Sequence, residues 1–221
     1  VFAISAAFST SVALAQDFNL DLGSPSSPFG VPSPSYAGPA NRPGVWQAIE
    51  ADVTNNLTTV DGSSSAATLR ILSQIGYFFD NDYPGTTGED QALLDDSHQS
   101  YPFATYRFED LEPGHYRVYT AAVEVYQANA FAWEILGLSS MQGAYDIAGT
   151  WPGAHHLARN YLIHDFLVTD GILQIRGTSA EPLHDNAQVS GFQLVRVDDP
   201  GGPFCYGAAP YAGSGYCPCN N

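Results

Sequence analysis

Hydrophobic and polar residues alternate along several short segments of this chain, which is the period of a β-strand. Residues 17–23, with the sequence DFNLDLG, alternate without a break. Phe18, Leu20 and Leu22 would share one face, and the polar residues between them the other. The pattern therefore predicts a half-buried first strand, with its polar face toward solvent. No segment keeps a helical period for more than about three turns.

Turn residues separate the strand-like segments. Asp61 and Gly62 lie between two apolar segments within residues 57–72 and predict a hairpin-type turn. Pro113 and Gly114 predict a turn between a short strand and a long one. The clearest hairpin is predicted in residues 160–177, NYLIHDFLVTDGILQIRG, where the chain would turn at Asp170 and Gly171.

Two longer segments predict surface loops. Residues 24–44 are rich in Pro, Ser and Gly, and residues 77–100 are mostly polar, with one helical turn predicted at 90–96. Residues 44–53 fit a short strand and a helical turn equally well. Many short strands between Gly- and Pro-rich turns predict an all-β fold, an antiparallel, jelly-roll-like β-sandwich with long surface loops.

The two ends of the chain differ from its middle. Residues 1–15 are apolar, uncharged and close on the small-x-small pattern of a secretory cleavage site, which predicts a signal-peptide remnant; a buried first helix is the alternative. The β-sandwich domain is predicted over residues 16–199 and a Gly/Pro/Cys-rich tail or linker over 200–221. We therefore expect a secreted or cell-surface protein, and no later segment is long and apolar enough to predict membrane insertion.

The charge of the chain excludes some partners. Its formal net charge is −16, and all 7 basic residues are arginines. Nucleic acids and anionic membranes bind basic patches, so neither is an expected partner of this acidic protein. The acidic residues are scattered along the chain, which does not predict an acidic tail.

All three cysteines, Cys205, Cys217 and Cys219, lie in the last 17 residues. Their spacing is a poor match to a zinc site, because Cys217 and Cys219 are separated by a single residue and the sequence has no second cysteine pair to complete the site. In an exported protein we expect Cys205 to form a disulfide with Cys217 or Cys219, which leaves one thiol over. The odd number predicts that the chain continues and is tethered to further domains on its C-terminal side.

Three segments resemble a known group of folds. LEPGHYRVYT (111–120), VTDGILQIRG (168–177) and VSGFQLVRV (189–197) resemble the closing half of galactose-binding-like and malectin-like jelly rolls. Together with DFNLDLG and GVW (44–46), they are also similar to modules of exported bacterial surface proteins. The resemblance covers most of residues 17–198 and implies the fold and export, whereas it implies ligand binding only by analogy.

An enzyme is not expected from the motifs. His155, His156 and His164 are close in sequence, but adjacent strand residues point to opposite faces, and eight strand residues span roughly 26 Å. A shared metal site would require residues 151–159 to fold back as a loop. No nucleophile elbow or phosphate-binding glycine loop is present. A metal-dependent or glycoside hydrolase stays a minority hypothesis. A glycosidase needs two carboxylates that lie close together in space, which the sequence does not reveal. The candidate carboxylates are Glu109, Glu112, Glu124 and Glu134.

Acidic loop residues make calcium the one cofactor worth considering. Asp80, Asp82, Asp95 and Asp96 lie in the predicted loop over residues 77–100, and calcium takes carboxylate oxygens from loops. They do not match the twelve-residue calcium-binding loop. Structural calcium is common in the jelly rolls that this chain resembles, and we assign Asp80 and Asp82 as candidate ligands.

Loop aromatics point to carbohydrate. Tyr and Trp rings stack on the apolar face of sugars, while polar loop side chains bind the hydroxyl groups. Trp151 lies in a turn that would hold its ring at the surface, which makes it the main candidate. The sequence thus predicts an exported, non-catalytic module that binds a glycan or polysaccharide; the alternative is a structural or adhesive surface module without a small ligand. The predicted binding residues are Trp151, Trp133, His155, His156, Asp95 and Asp96.

Overall fold

A computed structural model describes most of the segment predicted to form the sandwich. The described residues are 16–23, 26–123, 131–135, 145–147, 150–179 and 187–197. The predicted signal peptide and the cysteine-containing tail lie outside them, so neither the cleavage site nor the disulfide is described. No helix among the described residues is long and apolar enough to cross a membrane.

Within these residues the chain forms strands and one short helix. The first seven elements are β1 (Phe18–Leu22), β2 (Trp46–Ile49), β3 (Val53–Thr54), β4 (Thr68–Asp80), α1 (Glu89–Leu94), β5 (Asp96–Glu109) and β6 (Gly114–Ala121). The remaining elements are β7 (Phe131–Ile135), β8 (Tyr145–Ile147), β9 (Tyr161–Val168), β10 (Leu173–Ser179), β11 (Ala187–Val189) and β12 (Gly191–Val197).

The strands form two sheets packed face to face. The first sheet has the order β2-β1-β12-β6-β9, and the second has the order β3-β4-β5-β10-β7-β8, with β11 paired to β5. Apart from the parallel pair β1–β2, the described strand pairs are antiparallel. This arrangement confirms the predicted all-β sandwich.

The main core lies between the sheets. Phe18, Leu20 and Leu22 of β1 are buried there, as the alternation predicts, and pack in one cluster with residues of β5 and β12. The Tyr106 and Phe108 rings each make an edge-on contact with the Phe192 ring, with centroids 5.0 and 5.9 Å apart. Burial of these side chains provides the main driving force that holds the two sheets together.

The predicted hairpin in residues 160–177 is wrong. β9 pairs with β6 in the first sheet, whereas β10 pairs with β5 and β7 in the second. The turn at Asp170 and Gly171 therefore carries the chain from one sheet to the other, with Gly171 at φ 79°. A tight turn has the same glycine requirement whether its strands pair or separate, so the sequence did not distinguish the two cases.

The turn at Pro113 and Gly114 also joins the two sheets. It connects β5, which has 14 residues, to β6, which has 8, so the order of strand lengths is the reverse of the prediction. Residues 77–100 are not a loop throughout, because β4 extends to Asp80 and β5 begins at Asp96. The helical turn predicted in this segment is present as α1, and residues 46–49 are a strand.

The polar face of β1 is buried, contrary to the prediction of a solvent-facing side. The loop before β2 covers it: the Asn19 amide donates to the Arg42 carbonyl oxygen at 3.0 Å, and an Arg42 guanidinium nitrogen lies 2.5 Å from an Asp17 carboxylate oxygen. This loop belongs to the long surface loop that the sequence predicts. It packs on the outer face of the first sheet and converts it into a second buried layer.

A buried histidine in the main core gives a testable pH dependence. His98 of β5 is fully buried, and its Nδ1 atom lies 2.7 Å from the Tyr106 hydroxyl. Burial disfavours the imidazolium and lowers the pKa of His98 to about 4. The unfolded state, with a His pKa of about 6.5, then binds more protons between these values. This contribution to stability is present above about pH 6.5 and is lost as the pH falls toward 4.

We expect this loss to be about 3 kcal/mol, measured as the difference in urea-unfolding free energy between wild type and His98→Leu across pH 4–7. The variant loses the Tyr106 contact at every pH. Only the change with pH in the difference between the two unfolding free energies therefore reports the protonation of His98. A difference that does not change with pH would contradict the assignment of His98 as neutral in the folded protein.

Candidate functional site

A second apolar cluster covers one end of the outer face of the first sheet. Trp46 is paired with Asn19, and Ala121 alternates with the inward-facing Thr120, so both point away from the main core. Loops and α1 complete the cluster. Its buried members are Trp46, Tyr83, Leu93, Leu94, Ala121, Val123 and Trp151, and Tyr36 and Tyr161 pack against them.

Trp151 is part of this cluster and does not present an open ring. Its side chain is only 9% exposed, and its ring makes an edge-on contact with His155, with centroids 5.1 Å apart. The loop after it is folded back: the Asn160 side-chain oxygen accepts from the His156 backbone N–H at 2.7 Å, and Ala158 N–H donates to the Tyr161 carbonyl at 2.9 Å. The prediction of a surface ring at Trp151 is therefore wrong.

His155 is held in the cluster by two polar partners from other elements. Its Nε2 atom lies 2.7 Å from the Tyr36 hydroxyl, which donates to an Asp90 carboxylate oxygen of α1 at 2.7 Å. Burial lowers the pKa of His155, and the Asp90 charge opposes that shift. The arrangement ties the loop around His155 to α1 and to the loop before β2.

The three clustered histidines occupy different environments. His155 is mostly buried, His156 is exposed in the same loop, and His164 is fully buried in β9 opposite Val118. Among the residues that the structure describes, no group of three or more His, Cys, Asp or Glu side chains is placed to hold a metal ion. The histidines therefore give no geometric support to the metalloenzyme hypothesis.

The acidic residues assigned from the sequence differ in their exposure and in their partners. Asp95 is buried and accepts hydrogen bonds from the Thr86 hydroxyl at 2.6 Å and the Tyr83 N–H at 3.2 Å, which hold the loop before α1. Burial raises the pKa of Asp95 and these hydrogen bonds oppose the rise. Asp82 is exposed and accepts from the Gln91 amide at 3.2 Å.

Asp80 and Asp96 are paired in register at the ends of β4 and β5. Asp80 is exposed, whereas Asp96 is buried.

Trp133 lies in β7, and its side chain is outside the described part of the structure. The residues predicted to bind ligand therefore do not converge on one open surface among the described residues.

An exposed apolar surface lies instead on the outer side of the second sheet. We name Leu72, Ile75, Tyr77 and Tyr101 the outer aromatic face. Their side chains are 46%, 61%, 43% and 36% exposed, respectively. The Tyr77 and Tyr101 rings are stacked, with centroids 6.5 Å apart and an interplanar angle of 21°. The Tyr77 hydroxyl donates to the Gln99 side-chain carbonyl.

A register irregularity places these rings outside. Leu69 and Ile71 point into the core, and an unbroken alternation would also turn Ile75 and Tyr77 inward. The pairing of β4 with β5 shifts between Ser73 and Ile75, which reverses the alternation. Phe78 consequently packs against the core, with its ring centroid 5.0 Å from that of His98.

Polar and aromatic groups border the outer aromatic face. The Phe79 ring lies 5.8 Å from the Tyr77 ring, and the Arg176 guanidinium lies 4.2 Å from the centroid of the Phe103 ring. Burial, followed by the neighbouring Tyr101, raises the pKa of Tyr77 to about 12, so its hydroxyl stays protonated at neutral pH. The surface therefore combines partly exposed aromatic rings with hydrogen-bonding groups at their edges.

Sequence reasoning missed this surface because it placed Tyr77 in a loop. The available signal was the segment IGYFF, residues 75–79, which is apolar in both alternating positions. A strand with two apolar faces must either be covered on both sides or expose one of them.

Comparisons with known proteins give a distant likeness in fold. No protein-family model and no curated protein matches this chain in sequence. Among solved structures it is similar to a Bacteroides uniformis β-glucuronidase (12% identity, TM-score 0.46, covering 82% of this chain and 18% of that one). It is also similar to the extracellular domain of ANXUR2 from Arabidopsis thaliana (13% identity, TM-score 0.47) and to the plant receptor-like kinase FER (14% identity, TM-score 0.47). Each of these two matches covers 83% of this chain and 42% of the other.

This chain therefore spans less than half of each of those proteins. At these identities and TM-scores the likeness concerns the fold and carries no conclusion about ligand or activity.

Proposed function

We propose that this protein is an exported, non-catalytic β-sandwich module that binds carbohydrate through the outer aromatic face. The observation that supports the proposal is the pair of exposed, stacked rings of Tyr77 and Tyr101. A monomeric sandwich has no structural need for open aromatic rings on a sheet face, and exposed apolar patches mark binding surfaces.

The chemistry of these rings suits a sugar better than a flat apolar ligand. Aromatic faces stack on the C–H groups of a sugar ring, while polar groups at the edge bind its hydroxyls. The Tyr77 hydroxyl and the Gln99 amide lie at that edge. The net charge of −16 disfavours an anionic polysaccharide, so a neutral one is the expected ligand.

Two of the carboxylates considered for a glycosidase are engaged in ion pairs. Glu109 carboxylate oxygens lie 2.6 Å from Arg70 Nε and 2.9 Å from Arg107 Nε. Glu112 is paired with Arg196. Glu134 lies in β7, where side chains are not described, and Glu124 is outside the described residues. The ion pairs of Glu109 and Glu112 therefore favour binding without catalysis.

We expect Tyr77→Ala and Tyr101→Ala each to weaken retention on a neutral insoluble polysaccharide by about 5- to 30-fold, because one stacked ring contributes about 1–2 kcal/mol. Affinity electrophoresis and pull-down on a panel of neutral and acidic polysaccharides measure this effect. Tyr77→Phe keeps the ring and separates stacking from the hydroxyl contact.

Leu167→Ala is the matched control, since Leu167 is 49% exposed on β9 of the opposite sheet and its truncation leaves the rings in place. Unchanged retention of both tyrosine variants, with wild type bound, would place the binding surface elsewhere.

A structural or adhesive role without a small ligand is the second candidate. Ile75 is paired with Tyr101, and the exposed aliphatic side chains of Leu72 and Ile75 favour contact with a protein surface. This role is distinguished by sedimentation equilibrium: it predicts a concentration-dependent mass that Ile75→Lys abolishes, together with no retention on any polysaccharide.

A further inference from the structure

Two buried carboxyl groups face each other where the sheets meet near α1. Asp21 of β1 and Asp96 of β5 are 1% and 2% exposed, and a side-chain hydrogen bond joins their carboxyl groups. Gly23 lies directly beside them, because a Cβ atom at this position would overlap the Asp96 carboxylate. The missing side chain lets the carboxylate approach the backbone closely.

Neither carboxyl group has a full set of partners. Asp21 Oδ1 and Asp96 Oδ1 are both buried without a hydrogen-bond partner, and no ion pair to either residue is present in the described part of the chain. The Ser27 hydroxyl does hydrogen-bond to Asp96. Buried polar atoms are normally satisfied, so two unpaired carboxylate oxygens in one place require an explanation.

The surrounding charges make the pair less favourable still. Glu50 lies close enough to affect Asp21, and Asp80 and Asp95 affect Asp96. A buried pair of carboxylates without positive charge is strongly destabilising. The pair must therefore share a proton or bind a cation.

We propose that Asp21 and Asp96 form a binding site for Ca²⁺. Among the described residues, no histidine or cysteine joins these two carboxylates in a metal-binding group, which favours a hard cation over Zn²⁺. Ca²⁺ accepts irregular coordination by carboxylate, hydroxyl and backbone oxygens, whereas Mg²⁺ retains several waters and needs octahedral geometry. The two carboxylates supply part of the coordination sphere, and the Ser27 hydroxyl, which hydrogen-bonds to Asp96, supplies a further oxygen beside them.

The site differs from the calcium ligands expected from the sequence, Asp80 and Asp82, which are exposed. Because Asp21 belongs to the first sheet and Asp96 to the second, a bound ion would link the two sheets. Binding to the folded state alone raises the thermal midpoint, which gives a readout that does not depend on carbohydrate.

The test is thermal unfolding of the full chain at pH 7.5 in chelator and in millimolar CaCl₂, with binding measured by isothermal titration calorimetry. We expect Ca²⁺ to raise the wild-type midpoint by about 4 °C or more. Asp21→Asn and Asp96→Asn should remove this shift. Both variants keep the shape of the side chain and remove one negative charge, so in chelator they are expected to fold at least as well as wild type.

Asp82→Asn is the matched control and should keep the full shift, since its side chain is exposed and contacts Gln91. The assignment is overturned if wild type shows no shift and no heat of binding, which would leave a shared proton between the two carboxyls. It is also overturned if Asp80→Asn or Asp82→Asn removes the shift while Asp96→Asn retains it. MgCl₂ at the same concentration should shift the wild-type midpoint less than CaCl₂.

Discussion

Trp151→Ala is expected to lower the free energy of unfolding by about 3 kcal/mol. The ring is almost fully buried in the second apolar cluster, where it contacts His155 and packs in the same cluster as Trp46 and Tyr83. Truncation removes buried aromatic surface and leaves a cavity that the surrounding loops fill only in part. Urea unfolding followed by far-UV circular dichroism measures the change.

Leu157→Ala is the control for this prediction, because Leu157 lies in the same loop and is 42% exposed. Its free energy of unfolding should stay within about 0.5 kcal/mol of wild type. If Trp151→Ala left stability unchanged and abolished polysaccharide binding, Trp151 would be a binding residue and its buried position in the structure would be wrong.

Gln193→Ala is expected to lower the free energy of unfolding by about 3 kcal/mol, because this one side chain joins the covering loop to the first sheet. Its amide group donates to the Asn19 side-chain oxygen at 2.8 Å and to the Ala37 carbonyl at 3.1 Å. Its carbonyl oxygen accepts from the Ala40 N–H at 2.8 Å. The variant leaves all three groups without this partner in a buried layer.

Gln74→Ala is the matched control, since Gln74 is exposed on β4 and its loss should change stability by less than about 0.5 kcal/mol. Hydrogen exchange gives a second readout: Gln193→Ala should speed exchange in residues 36–45 more than in β5. Equal stability of Gln193→Ala and wild type would show that the loop is held mainly by its apolar contacts.

These two variants concern the layer that covers the outer face of the first sheet. The loop before β2, α1 and residues 151–160 together cover one end of the outer face of the first sheet. The outer face of the second sheet has no such cover over Ile75 and Tyr77 among the described residues. The open aromatic surface therefore lies on the second sheet, and the predicted loop aromatic Trp151 serves to pack the first.

The sequence by itself determined that the fold is all-β, where several turns lie, and which residues alternate along individual strands. Alternation in residues 17–23 correctly assigned Phe18, Leu20 and Leu22 to the core, and α1 was expected at nearly its observed position. These features are local, because they depend on backbone conformation and on neighbouring side chains within a few residues.

Only the tertiary structure decided which faces are covered and which strands pair. Asp21 shares its strand face with Asn19, yet that face is buried because loops and α1, distant in sequence, pack over it. Tyr77 became exposed through a register shift between β4 and β5, which depends on both strands at once. Alternation states which residues share a face, but contacts distant in sequence decide whether that face meets core, loop or solvent.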